Sequence, residues 1–201
     1  MRRAILMAPV LGLLAVAPAS ALDTGLTLRG GAFFPRADSN RFSDDAELFA
    51  REKSPNTGLQ KKDWIGGYGG IEFNVRAVRN LEVAFHVDGY GRQLETVDLG
   101  YERQDGRPIR QRLELAIVPM GVTVRLIPTS RHARFAPYLG VGADLFFWSY
   151  EERGDFTDYQ DPTHPVFSDH FKSSGVTPGV HVTGGVRVGL NAANDFAVAI
   201  D

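Results

Sequence analysis

The chain has no cysteine among its 201 residues, so disulfides, thiolate metal sites and cysteine nucleophiles are all excluded. Lysine is nearly as scarce: Lys53, Lys61, Lys62 and Lys172 are the whole set. Soluble sheets commonly use lysine on exposed faces and edges, and here the polar faces of the alternating segments do without it. Beyond the N-terminus no apolar run approaches ~20 residues, which excludes a bundle of membrane-spanning helices. A formal net charge of −2 offers no basic surplus for nucleic acid. What the chain has instead is 22 Gly, with 13 Phe, 6 Tyr and 2 Trp. That many aromatic side chains need burial, so the chain is not wholly disordered.

The N-terminus reads Met-Arg-Arg, then the apolar AILMAPVLGLLAVAP, then Ala19-Ser20-Ala21. A basic start, an apolar middle and a small-x-small end describe a secretory leader over 1–21, cleaved after Ala21. Pro9 and Pro18 interrupt the run, which is short for a membrane anchor. The remainder, 22–201, reads as one domain with no internal repeat.

From Leu22 onward the pattern has period two, the signature of strands. Between Val176 and Leu190 the even positions are mostly Val, while the odd positions carry Thr, Gly, His181 and Arg187. A helix would mix the two sets, whereas a strand sorts them onto opposite faces. The same sorting marks Thr24 to Phe34, Trp64 to Arg76, Leu81 to about Val97, and Tyr138 to Tyr150. Within Ile109 to Leu126 the apolar phase shifts: Leu113, Leu115 and Ile117 are odd, Val122, Val124 and Leu126 even. A β-bulge near Pro119 is the expected cause, since proline cannot donate to a ladder.

The connections alternate in length. Residues 77–80, 128–133 and 191–194 read as short turns, 36–63 and 151–175 as long polar loops, and 99–108 as intermediate. Inside the first long loop, SDDAELFAREK predicts one short helix, with Ser43 as N-cap and Glu47 placed to pair with Arg51. Short turns at one end and long loops at the other describe an up-and-down antiparallel meander.

Period two does not say which face lines the interior. A soluble lipocalin-like barrel keeps its apolar face inside, and a membrane barrel reverses this. The lack of strand lysine favours the membrane arrangement. So do Phe33, Phe34, Trp64, Tyr68, Tyr90, Phe146, Phe147, Trp148 and Tyr150, all near the loop ends and expected to form an interfacial girdle. An aromatic plug at the mouth of a barrel is the other reading of that cluster.

The leader, GGAFFPRADS after the first strand, GGYGGIEFNVRAVRNLEVAFHVDGYG and APYLGVGADLFFW together carry a resemblance. The chain resembles the bacterial outer-membrane beta-barrel domain family, the small barrels of the OmpX and OmpW kind. The resemblance covers essentially all of 22–201. It implies an all-β, up-and-down antiparallel transmembrane barrel of eight strands in the cell outer membrane, and no common activity. About seven strands are legible, the last being Asp195 to Asp201, against an even number for such barrels. The expectation is therefore a truncated chain that lacks its closing strand. Expected partners are outer-membrane lipid, lipopolysaccharide and the barrel-insertion machinery, with a monomeric protein and no nucleic acid.

In that arrangement the inward polar set is Arg29, Glu72, Arg76, Glu82, His86, Asp88, Glu114, Asp144, His181 and Arg187. Enclosed opposite charges are expected to pair into a network. A loop over 151–174 would set Asp144 level with His181, a pair able to act as a pH-sensitive latch. No catalytic, cofactor or metal set is expected. His170 and Ser173 lack an acidic partner at strand spacing, and the acidic loop stretches lack the calcium-loop pattern. The functional expectation is a structural or surface-interaction role without catalysis. A narrow passive channel for small apolar molecules and a soluble periplasmic ligand-binding barrel stay open beside it.

Overall fold

The computed structural model describes residues 23–34, 49–51, 58–103, 105–129, 133–158, 160–189 and 197–200. The proposed leader and most of the 36–57 stretch fall outside them. The strands are β1 (Asp23–Phe33), β2 (Phe49–Arg51), β3 (Gly66–Val78), β4 (Leu81–Glu102), β5 (Pro108–Leu126), β6 (Phe135–Thr157), β7 (Val166–Gly189) and β8 (Ala197–Ile200). Each neighbouring pair is antiparallel, in the order β1-β3-β4-β5-β6-β7-β8, with β2 added to β4. The result is an up-and-down meander of six long strands with a short strand at its β7 edge. Among the described residues β1 and β8 do not pair, so the sheet is curled but not closed.

Alternation sets the two faces. Odd positions of β5 from Ile109 to Arg125 turn to the concave face, even positions to the convex one, and the β5–β6 register runs from Gln111↔Gly154 to Leu126↔Leu139 without a shift. The bulge expected at Pro119 is therefore absent. Its missing N–H coincides only with a lapse in the β4 ladder between Val87↔Met120 and Tyr90↔Ile117. What changes along β5 is which face is apolar, not which way the strand faces.

Two further expectations change. Strands β6 and β7 pair unbroken from Phe135↔Val188 to Thr157↔Val166, so the connection is 158–165 rather than a loop over 151–175. Strand β4 likewise reaches Glu102 and β5 starts at Pro108, which shrinks the intermediate loop. Lys172 thus lies on a strand. Of the segment read as a helix, Phe49–Arg51 is a strand paired as Phe49↔Asp98 to Arg51↔Thr96, and its other residues lie outside those described. Strand β3 pairs with β4 only as far as Tyr90, and further along that side of β4, at Thr96 to Asp98, β2 takes up the backbone groups. No helix among the described residues is long and apolar enough to cross a membrane.

Among the described residues the larger apolar cluster lies on the concave side near one end, and a smaller one of Ile127, Ala136 and Tyr138 lies toward the other. At the larger cluster a 3-10 turn, Lys61–Trp64, folds inward and buries Trp64 and Leu59 against Leu94 and Leu113. Leu115 and Tyr150 pack around them. The Tyr90 hydroxyl donates to the Trp64 carbonyl and Arg92 Nε to the Asp63 carbonyl at 2.9 Å. Phe33 meets Tyr90 with ring centroids 4.5 Å apart, and Trp64 meets Tyr150 at 6.1 Å. Most of the aromatics expected in an outward girdle are thus turned inward. Phe33, Trp64, Tyr90 and Tyr150 form the plug, and Phe34 and Phe147 are the exposed ones.

Candidate functional site

Below this plug the concave face is polar. Its centre is Arg125 of β5, whose Nη1 and Nη2 both donate to the Glu72 carboxylate of β3 at 2.5 Å. Its Nη1 also lies 3.4 Å from Asn74 Oδ1 and from Glu82 Oε1. Arg187 of β7 reaches across to Glu82 of β4 with donations of 3.0 and 2.9 Å. Two strands separate β7 from β4, so this contact requires strong curling of the sheet. On β1, Arg29 lies 3.1 Å from Asp88 and 3.7 Å from Glu72. Asn74 donates to Thr27 Oγ1 at 2.8 Å.

A second cluster centres on Asp144 of β6. Its Oδ1 is 2.9 Å from His86 Nε2, and its Oδ2 is 2.5 Å from His181 Nδ1. His181 Nε2 in turn lies 2.9 Å from Thr123 Oγ1. The two imidazoles meet edge to face with centroids 5.6 Å apart. Asp144 sits opposite Gly179 and His181 opposite Gly142, so the pair forms diagonally, two residues away from the level register expected. The longer strands, rather than a loop over 151–174, set that offset.

Glycine makes this packing sterically possible. A Cβ on Gly121 would stand 2.0 Å from Asp144 Oδ1 and 2.7 Å from His86 Cε1. A Cβ on Gly142 would stand 2.4 Å from His181 Cε1. Long polar side chains therefore lie over the backbone of neighbouring strands where no side chain projects.

Of the residues expected inside, Arg29, Glu72, Arg76, Glu82, His86, Asp88, Asp144, His181 and Arg187 are on the concave face, and most of them are buried. Glu114 is not. It is an even position of β5, so it is exposed on the convex face between Gln93 and Glu151 in register. Its placement inside depended on a bulge that does not form. Sequence reasoning missed Arg125, the best-connected member, together with Asn74, Thr123 and Tyr138, whose ring lies 5.3 Å beneath the Arg125 guanidinium. The signal was present: Val122, Val124 and Leu126 outward put Thr123 and Arg125 inward.

On this face four arginines, Arg29, Arg76, Arg125 and Arg187, stand with four carboxylates, Glu72, Glu82, Asp88 and Asp144. A buried charge is tolerable only when paired and hydrogen-bonded. A cavity of about 350 Å³ runs beside Thr27 to Ala32 and is lined across the face by Arg29, Tyr68, Glu72, Arg125, Tyr138 and Arg187. It does not reach Thr123, which is 1% exposed. The order Thr123–His181–Asp144 has the connectivity of a nucleophile, base and orienting acid, with the hydroxyl residue buried. Among the described residues no group of three His, Asp or Glu side chains is placed to hold a metal ion. At the far end of β6, Lys172 and His170 hydrogen-bond the Glu151 carboxylate and hold it below the ordinary glutamate range.

The convex face changes character at one level on four strands. Row by row, Val83–Val124–Val141–Val182, Phe85–Val122–Ala143–Val180 and Val87–Met120–Leu145–Pro178 are apolar and outward. The row Gly91–Ala116–Ser149–Ser174 follows with small side chains. Beyond it Glu95–Arg112–Arg153–His170 is charged. On the concave side the order is reversed, with ions beside the apolar rows and the apolar plug beside the charged ones. Comparison with protein-family models, with curated proteins and with solved structures found no match for this chain.

Proposed function

We propose that this chain forms the wall of an antiparallel β-barrel inserted in the outer membrane, reached through the leader 1–21. Its role is structural or surface-interacting, without catalysis. The observation that carries this reading is the exchange of apolar and polar faces at the same level on β4, β5, β6 and β7. A water-soluble sheet has no use for a wide band of outward Val, Leu and Phe, which would be an aggregation hazard. A bilayer requires one, and the apolar convex part of β5, Val118 to Leu126, matches the ~9–11 residues of a tilted membrane strand. Past the band the surroundings are aqueous, so the strands carry charge outward and put Leu94, Leu113 and Trp64 inside.

The same features weigh against the two alternatives. The apolar plug above the paired charges leaves little room for a passive route, and the outward band is wrong for a periplasmic ligand-binding barrel. On this reading the partners are bilayer lipid, lipopolysaccharide and the insertion machinery, and the protein is monomeric. Fractionation tests it. The folded chain should travel with the outer membrane and change gel mobility on boiling; recovery of folded protein from the periplasmic fraction would overturn the proposal.

A further inference from the structure

A bilayer accounts for the apolar side chains that point outward on the near side of the charged row Glu95–Arg112–Arg153–His170. It does not account for Phe167 and Phe171. These lie at the far end of β7, in register with Phe156 and Glu152 of β6, and Glu152 is buried on the concave side. Both rings are nonetheless 42% and 47% exposed. On the barrel reading this end of the β6–β7 hairpin stands in water, where a group of exposed rings marks an interaction site. Phe156 gathers the group: its ring centroid lies 4.7 Å from that of Phe171, edge to face, and 6.0 Å from that of Phe167, stacked. Gly154, opposite Asp169, puts no side chain between them. The platform is also held in place. Strands β6 and β7 pair unbroken to Thr157↔Val166. Asp155 Oδ1 accepts from Arg103 Nη2 at 2.7 Å and from Ser168 Oγ at 2.8 Å, which ties the hairpin to the chain just after β4.

The charge around the rings selects the ligand. Residues 150–172 hold six acidic side chains against Arg153 and Lys172. Lys172 engages Glu151 and Arg103 engages Asp155. Among the described residues Asp158, Asp161 and Asp169 have neither an arginine nor a lysine paired with them. Asp169 is exposed and shares its strand face with Phe167 and Phe171, one on either side. One of its oxygens accepts the His170 amide at 2.7 Å, which leaves the other for a ligand. A planar guanidinium suits both features, since its face stacks on an aromatic ring while its edge donates to a carboxylate. The geometry points to a docking site for a basic peptide at the end of the β6–β7 hairpin, entered by an arginine that stacks on Phe156, Phe167 and Phe171 and pairs with Asp169. This gives the surface-interaction role a partner class, and it rests on that reading in placing the hairpin in water.

The test uses the full chain in micelles of a zwitterionic detergent. The probes are dye-labelled octapeptides of Gly and Ser with two central Arg, Lys or citrulline residues, read by fluorescence anisotropy. The Arg peptide should bind about threefold or more tighter than the Lys peptide, and about tenfold or more tighter than the uncharged citrulline peptide. Asp169→Asn should weaken binding of the Arg peptide about tenfold, and Phe167→Ala with Phe171→Ala should remove the preference for Arg over Lys. Glu114→Gln, which removes an exposed carboxylate from the convex face, should change neither. Circular dichroism checks that each variant keeps the sheet. Equal affinities for the three peptides, no binding of any, or equal losses from Asp169→Asn and Glu114→Gln would each overturn the proposal. So would a dimer of the chain that dissociates on Phe171→Ala, because the rings would then serve a self-contact. Fractionation reads separately: a periplasmic chain that keeps the Arg preference refutes membrane insertion alone. An outer-membrane chain without the preference refutes this inference alone.

Discussion

Replacing Gly121 by alanine tests whether glycine is there to admit the Asp144 cluster. The new methyl would stand 2.0 Å from Asp144 Oδ1 and 2.8 Å from the Ala143 carbonyl. Asp144 must swing away, which breaks its 2.9 Å bond to His86 and distorts the 2.5 Å contact with His181. A charge-assisted hydrogen bond contributes about 1.5–3 kcal/mol, and forcing a methyl into a filled interior costs about 1–3 kcal/mol. Together these give a loss of about 2.5–6 kcal/mol. The matched control is Gly91→Ala on the convex face, where a Cβ meets nothing within 4 Å. There the alanine should be neutral or stabilising by up to about 1 kcal/mol. Denaturant unfolding in detergent, followed by tryptophan fluorescence, reads both midpoints. In an Asp144→Ala background the penalty at Gly121 should fall by about 2 kcal/mol, because the main clash is gone. Equal costs at Gly121 and Gly91, or no coupling to Asp144, would refute the steric argument.

Three other outcomes follow from the same geometry. Arg125→Met should destabilise by about 3–5 kcal/mol by leaving Glu72 buried without its partner, and adding Glu72→Gln should recover part of the loss in the same unfolding assay. Val124→Arg, at mid-band on the convex face, should cost about 2–4 kcal/mol in lipid vesicles, whereas Gln93→Arg beyond the band should cost about 0–1 kcal/mol; equal effects would count against a bilayer around this surface. Glu151 is held below the ordinary value of 4.5 by Lys172 and His170, so its contribution is present above that value and lost as pH falls through the lowered one. Amide exchange at the outer ends of β6 and β7 should therefore rise below about pH 4.5, and Glu151→Gln should remove that dependence.

Strand identity was legible in the sequence because a strand's side chains alternate strictly. Val176 to Leu190 can be sorted by eye, and nine of the ten proposed interior residues fell on the concave face for that reason. Glu114 failed because alternation is blind to environment. When Leu113 and Leu115 gave way to Val122 and Val124 in the opposite phase, a bulge and an inversion of surroundings predicted the same pattern. Only the unbroken β5–β6 register distinguishes them. Strand ends were equally hidden, since β6 and β7 beyond Ser149 and Ser174 carry polar residues on both faces and look like loop until their pairing is seen. The aromatics near the loop ends were placed at the right level but on the wrong side, because the plug that gathers them is a tertiary object.

By itself, then, the sequence determined an all-β meander with two sorted faces, glycine beside the inward charges and no lysine on the apolar rows. These are local consequences of side-chain period, volume and charge. The tertiary structure alone decided that Arg125 joins Glu72 to Glu82, that Asp144 is shared by two histidines, and that Trp64 closes one end. The polar contacts among these join residues 37–58 positions apart, on strands that the pairing and curl of the sheet bring together, and no local pattern encodes that distance.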